Sequence, residues 1–249
     1  MTQLDTRRLR PVDPPDDADD GAAPRRRLPR RSTFVLLAVG VVVVALVVTW
    51  IVVFSPVFGV RTVKVLGTKQ LSAAQVRTAA SIKHGTPLVR LDTAAVTRRV
   101  ERLPEVESAQ VSTSFPSTVT VTVVERTPVG YIASDGKDVL VDSDGVQYRT
   151  VSKAPAHLPR FVVPTGTLAK RTAAALGTVA GALTPALRAV VTSIQALDPT
   201  SITLTVKGGT LVRWGSAARS ADKARVLPAL LKLDAGQVDL TDPDQPYVH

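Results

Sequence analysis

From Phe34 to Phe54 the chain runs 21 residues without a charged side chain. As a helix rising 1.5 Å per residue, that run is about 31 Å long, the thickness of a bilayer's hydrocarbon core. Valine dominates it and is a middling helix former in water. In lipid no water bonds the peptide groups, so the chain must close its hydrogen bonds within a helix. Trp50 lies near one end, where an indole favours the interface. These features predict one membrane-spanning helix over 33–54. Five arginines (Arg25, Arg26, Arg27, Arg30 and Arg31) precede it, and only Arg61 and Lys64 follow within ten residues. That asymmetry predicts a cytoplasmic N-terminus and an extracytoplasmic C-terminal part. A cleaved signal peptide is disfavoured, because the apolar run is long and Ser55-Pro56-Val57-Phe58 offers no small-x-small cleavage site.

The tail over 1–32 mixes proline, aspartate and arginine, with the run Pro14-Pro15-Asp16-Asp17-Ala18-Asp19-Asp20. Such a composition buries no core and predicts disorder. The whole chain carries a net charge of +10. The charge is diffuse, and no basic stripe interleaves with aromatics, so nucleic acid is not an expected partner. Attraction to an anionic membrane or wall polymer fits better. There is no cysteine, which excludes disulfides and thiolate chemistry. His84, His157 and His249 are scattered, a poor basis for a metal site or a triad. No Walker loop, Gly-x-Ser-x-Gly, His-Glu-x-x-His or Rossmann fingerprint occurs. No cofactor and no small-molecule substrate are expected.

Beyond the apolar run, Val63 and Val65 alternate with Thr62 and Lys64, predicting a half-buried strand over Val60 to Gly67. Ser72 is a candidate N-cap for a helix with Ala73, Val76 and Ala80 on one face. Asp92 caps a second helix expected to reach about Leu103, with Val96, Val100 and Leu103 inward. Arg98, Arg99 and Arg102 are read as its solvated face. Two strands follow, Glu107 to Ser114 and Ser117 to Glu125. In the second, Val119, Val121 and Val123 alternate with threonines. Phe115-Pro116-Ser117 is the turn between them. Glu125 and Arg126 are read as an exposed ion pair of little worth. The order strand, helix, helix, strand, strand makes a small α+β layer.

The ordered set Leu103-Pro104-Glu105-Val106, Ala109-Gln110-Val111, Phe115-Pro116-Ser117 and Glu125-Arg126-Thr127-Pro128 resembles the signature of FtsQ-type POTRA domains. The upstream Gly85-Thr86-Pro87-Leu88 and Asp92 are similar to that family's loop into its second helix.

After this module, Val139 to Tyr148 reads as a hairpin turning at Asp144-Gly145. A calcium loop is excluded there by the missing third aspartate and terminal glutamate. Residues 168–197 read as helical with a break at Pro185, and Leu187, Val190, Ile194 and Leu197 form a stripe. Gly177 and Gly181 form a GxxxG, read as close packing or chance. Ile202, Leu204 and Val206 pair through Gly208-Gly209 with Leu211 to Trp214. A helix over Ser220 to Leu233 and a short strand Gln237-Val238-Asp239-Leu240 complete the pattern.

The hairpin is similar to the one that opens the FtsQ C-terminal β domain. The chain thus resembles the FtsQ/DivIB family of cell-division proteins from the span onward. The expected fold class is α+β in a single-pass membrane protein: a tail over 1–32, a span over 33–54, a POTRA-like β-α-α-β-β domain over 58–127, and a mixed α+β domain over 128–249. The resemblance implies a divisome scaffold at the septum that binds bitopic FtsB- and FtsL-like proteins and makes or breaks no bond. It places partner docking on the terminal strands, at Val238, Leu240, Tyr247 and Val248. The alternative is a membrane-anchored wall-modifying enzyme with an unrecognised site.

Overall fold

A computed structural model describes residues 31–54, 58–233 and 235–248. The expected tail lies outside the described residues up to position 30. Helix α1 runs Arg31–Phe54. Over Phe34–Ile51 it is long and apolar enough to cross a membrane, and its large apolar side chains there are exposed. Its residues up to Ile51 belong to one compact unit, and the remainder from Val52 forms another.

The remainder opens with the expected β-α-α-β-β order: β1 (Thr62–Leu66), α2 (Ala73–Ala80), α3 (Thr93–Val100), β2 (Val106–Ser114) and β3 (Thr118–Glu125). In the sheet β3 is central, parallel to β1 and antiparallel to β2. Ser72 and Gln75 form a capping box on α2, satisfying two N–H groups that a helix start leaves open. The Asp92 carboxylate accepts from Ala95 N at 2.8 Å and starts α3. Val76, Ala80, Val96, Val100, Val119 and Val121 are fully buried between helices and sheet. Two expectations change here. Helix α3 stops at Val100, and Leu103 packs from the following turn. Arg99 is no solvated residue: its Nε and Nη2 donate to Ala80 O at 3.0 and 2.8 Å, placing a cation on the C-terminal carbonyls of α2.

The Glu125–Arg126 pair also differs from its reading, because neighbours on an extended chain point to opposite sides. The Glu125 carboxylate accepts from the backbone N–H groups of Lys69, Gln70 and Leu71 at 2.7–3.0 Å. Arg126 instead pairs with Asp142, and its Nε donates to Pro104 O. Asp142 is buried and also accepts from Asp144 N and Val146 N, so the arginine holds the next hairpin's turn.

That hairpin belongs to a nine-stranded sheet built from β4 (Gly130–Ser134), β5 (Lys137–Val141), β6 (Gln147–Val151), β7 (Arg160–Val162), β8 (Val191–Gln195), β9 (Ile202–Val206), β10 (Leu211–Gly215), β11 (Gln237–Asp239) and β12 (Tyr247–Val248). The strand order is β12-β11-β10-β9-β8-β7-β4-β5-β6. Helices α4 (Ala169–Ala182), α5 (Pro185–Val190) and α6 (Ser220–Leu231) contribute to its core, with Leu176, Ile194, Leu204, Trp214 and Leu227 fully buried.

Strands β4 and β7 are absent from the sequence reading. Gly130 opens β4 just after Pro128, which mimics a turn signal. Its missing Cβ leaves room for the Phe161 ring, which would otherwise lie 2.2 Å away. The helical stripe to Leu197 is a correction. The chain leaves α5 after Val190, Ile194 lies in β8, and Leu197 is 83% exposed. A register shift between Val191 and Ser193 leaves Val191 and Ile194 buried three residues apart. A bulged strand thereby imitates helical spacing. The GxxxG is packing rather than chance. A Cβ at Gly177 would meet Asp142 O at 2.7 Å, and one at Gly181 would meet Ser143 Cβ at 3.1 Å.

Candidate functional site

The outer edge of the large sheet is built from β10 outward. Trp214 is fully buried near the end of β10, and its Nε1 donates to Ser220 Oγ at 3.0 Å. Lys223, on the first turns of α6, is almost completely buried. Its Nζ donates to Trp214 O at 2.6 Å and Ser216 O at 3.2 Å and lies 5.8 Å from the Trp214 ring centroid. Burial pushes the Lys223 ammonium below its ordinary pKa, with Arg219 adding repulsion. These contacts lock α6 to β10.

Helix α6 returns the chain so that β11 lies parallel to β10, with Val212 opposite Val238. Leu240 N donates to Arg213 O at 2.8 Å and extends the pairing. Val238 and Leu240 are both fully buried. Their side chains belong to the core, so only their backbone is left for strand pairing. Beyond them Thr241 N donates to Asp239 Oδ1, and Asp244 N to Asp242 Oδ1, both at 3.0 Å. These aspartate turns reverse the chain.

Arg219 pins that reversal. Its Nη1 and Nη2 donate to both Asp244 carboxylate oxygens at 2.8 and 2.9 Å, and its Nε donates to Asp222. The hydrogen bonds from Arg219 hold the Asp244 carboxyl below its ordinary pKa. Pinned in this way, β12 lies antiparallel to β11, with Val248 opposite Val238 and Tyr247 opposite Asp239. Tyr247 is 61% exposed and Val248 39%. Among the described residues β12 is the outermost strand on this side.

The structure therefore brings all four of the sequence-picked residues to one edge, two as its buried footing and two as its open face. Sequence reasoning missed Arg219, Lys223 and Asp244, which position that face. The Asp242-Pro243-Asp244 spacing is a turn signal visible in sequence, whereas the partner of Asp244 lies 25 residues away. Among the described residues no group of three or more His, Asp or Glu stands ready to hold a metal.

Among the described residues, fold and edge define a class: one membrane-type helix, a three-stranded α+β module and a strand-rich module whose outermost strand on one side is β12. Residues 58–126 match the FtsQ-type POTRA domain, and residues 130–241 match the C-terminal domain of cell division protein FtsQ/DivIB. The cell division protein FtsQ of Streptomyces bingchenggensis is 36% identical over 237 residues, covering 90% of this chain and 88% of that one. That of Mycobacteroides abscessus is 38% identical over 214 residues, covering 86% and 68%. A solved extracytoplasmic domain of DivIB from Geobacillus stearothermophilus shares 18% identity at a TM-score of 0.34, over 42% of this chain and 90% of that one, too slight a likeness to argue from. The chain belongs to the FtsQ/DivIB family of cell-division proteins.

Proposed function

We propose that this chain is a divisome scaffold that acts by protein–protein binding and catalyses no reaction. The tail over 1–32 lies in the cytoplasm, the span over 33–54 crosses the cell membrane, and the modules over 58–127 and 128–249 work outside it at the septum. There they recruit bitopic FtsB- and FtsL-like proteins and so help to regulate septal wall synthesis. The observation that carries this reading is β12, a strand held by β11 and Arg219 with its outer side open among the described residues. Such an edge offers backbone N–H and C=O groups for a partner's strand, and exposed Tyr247 and Val248 add side-chain selectivity. Val238 and Leu240 serve as the base from which it projects.

The test is capture of FtsB- and FtsL-like proteins by the full chain from detergent-solubilised membranes. Replacing both Tyr247 and Val248 by proline removes the one backbone donor that faces a partner together with the one that faces β11, and capture should fall at least about tenfold, the loss of one well-made contact. The thermal unfolding midpoint should be unchanged. Undiminished capture by a folded double-proline variant rejects the edge. Filamentous cells on depletion fit a scaffold, whereas a wall-hydrolysing or transferase activity in the purified chain, abolished by one point change, rejects it.

A further inference from the structure

At the end of the POTRA module where the chain enters, three segments meet. Val60 N donates to Thr86 O, and Gly85 N donates to Val60 O, both at 2.9 Å. Arg61 N and Thr62 N both donate to Ser117 O, at 2.9 and 3.2 Å. The entry strand thus stitches the loop over 83–90 to one side and the β2–β3 turn to the other. The Phe58 ring meets the Phe115 ring edge-on, with centroids 6.2 Å apart. Phe115 is 60% exposed and Val89 is 49% exposed. Arg61, Lys83 and Arg90 are exposed at the same end.

Segments 58–61, 83–90 and 115–117 together hold these three cations and no Asp or Glu. The module's glutamates lie elsewhere, while its one aspartate, Asp92, follows Arg90 by two residues and caps α3 at this same end. Glu105 and Glu107 flank the start of β2, and Glu125 ends β3, at the opposite end of that antiparallel pair. Glu101 caps the other end of α3. The entry end is therefore aromatic and basic, whereas at the opposite end the glutamates stand among cations, with Lys69, Arg102 and Arg126 beside them. Aromatic rings beside cations are the composition that favours a membrane–water interface. Phe58 follows Phe54 by four residues, a separation of at most about 14 Å in extended chain.

We propose that this end of the POTRA module docks on anionic phospholipid headgroups of the outer leaflet. Phe115 and Val89 enter the interface, and Arg61 and Lys83 meet phosphates. The proposal rests on the extracytoplasmic placement given above. Each cation that meets an anionic surface is worth about a fivefold change in the docked population, screened by salt.

The full chain lacks cysteine, so His84→Cys and Glu107→Cys each carry one fluorophore, at the entry end and at the opposite end. The chain is reconstituted in vesicles of zwitterionic lipid, with or without anionic phospholipid, that contain a headgroup-linked quencher. Quenching at position 84 should rise several-fold with anionic lipid and fall back with Arg61→Glu and Lys83→Glu together or at high salt. Position 107 should stay unquenched. Quenching at 84 that ignores lipid charge and the double variant overturns the proposal, as does equal quenching at 107. No quenching at 84 in these bilayers, which hold no other protein, also overturns it, and assigns the patch to a protein partner. The topology is checked separately by a membrane-impermeant thiol reagent on intact cells. If it fails to reach position 107, the placement itself is wrong. If it reaches 107 while 84 stays unquenched, only the lipid contact is wrong.

Discussion

Glu125 and Arg126 are adjacent in sequence and do opposite things. Burial pushes the Glu125 carboxyl up, but the N–H groups of Gln70, Leu71 and Lys69, helped by the charge of Arg149, outweigh it and hold its pKa below the ordinary 4.5. Hydrogen bonds to a charged acceptor are the stronger kind. Glu125→Gln is expected to cost about 2 kcal/mol at pH 7, read by urea unfolding of the full chain in detergent. A depressed carboxyl stabilises fully above its unfolded pKa, and that contribution is lost as pH falls through the lower folded value. The gap between wild type and variant should therefore close below about pH 4. A gap that persists or widens in acid would contradict this role. Nothing in the sequence marks Glu125 as a loop anchor, because its three donors lie more than fifty residues upstream. At the other end Asp244→Asn should loosen β12. Amide exchange at 247 and 248 should speed up at neutral pH with α6 unchanged, and unaltered exchange would remove Arg219 from its pinning role.

Elements with one clean period were legible. Val119, Val121 and Val123 alternate through β3 and Ile202, Leu204 and Val206 through β9, and all six are buried. The caps at Ser72 and Asp92 lie where the residue types place them. Legibility failed where a tertiary contact set the local rule. Strand β4 opens with a glycine that only Phe161 explains, and the bulge in β8 gave its buried residues a helical interval. Val238 and Leu240 were legible as a short strand, though β11 ends at Asp239, and Tyr247 and Val248 were placed only by the family resemblance; which of the four face the core depends on the α6 crossover. Helix α4 yields a comparison internal to one motif. Gly→Ala in a helix interior ordinarily gains about 1 kcal/mol. At Gly181 that gain should be offset in part, since the Ser143 Cβ at 3.1 Å must give by a few tenths of an ångström. At Gly177 a methyl group would strike the backbone of 142–145, so Gly177→Ala should cost about 2 kcal/mol. Equal unfolding midpoints for the two variants would show that the turn does not pack on α4 as described.

The whole molecule combines an apolar helix with a second unit whose two sheets are tied by side chains. Arg126 reaches Asp142, and Arg149 reaches both Gln70 and Glu105. The outer strand of the second sheet is the feature proposed to act. The most direct test places a photo-crosslinking amino acid at position 247 of the full chain in dividing cells, with a second at Lys137, on the β4–β5 hairpin, as the control. An adduct with an FtsB- or FtsL-like protein from position 247 alone, abolished when Val248 is replaced by proline, is the expected result. Adducts that form equally from both positions, or that survive the proline, would contradict docking through β12.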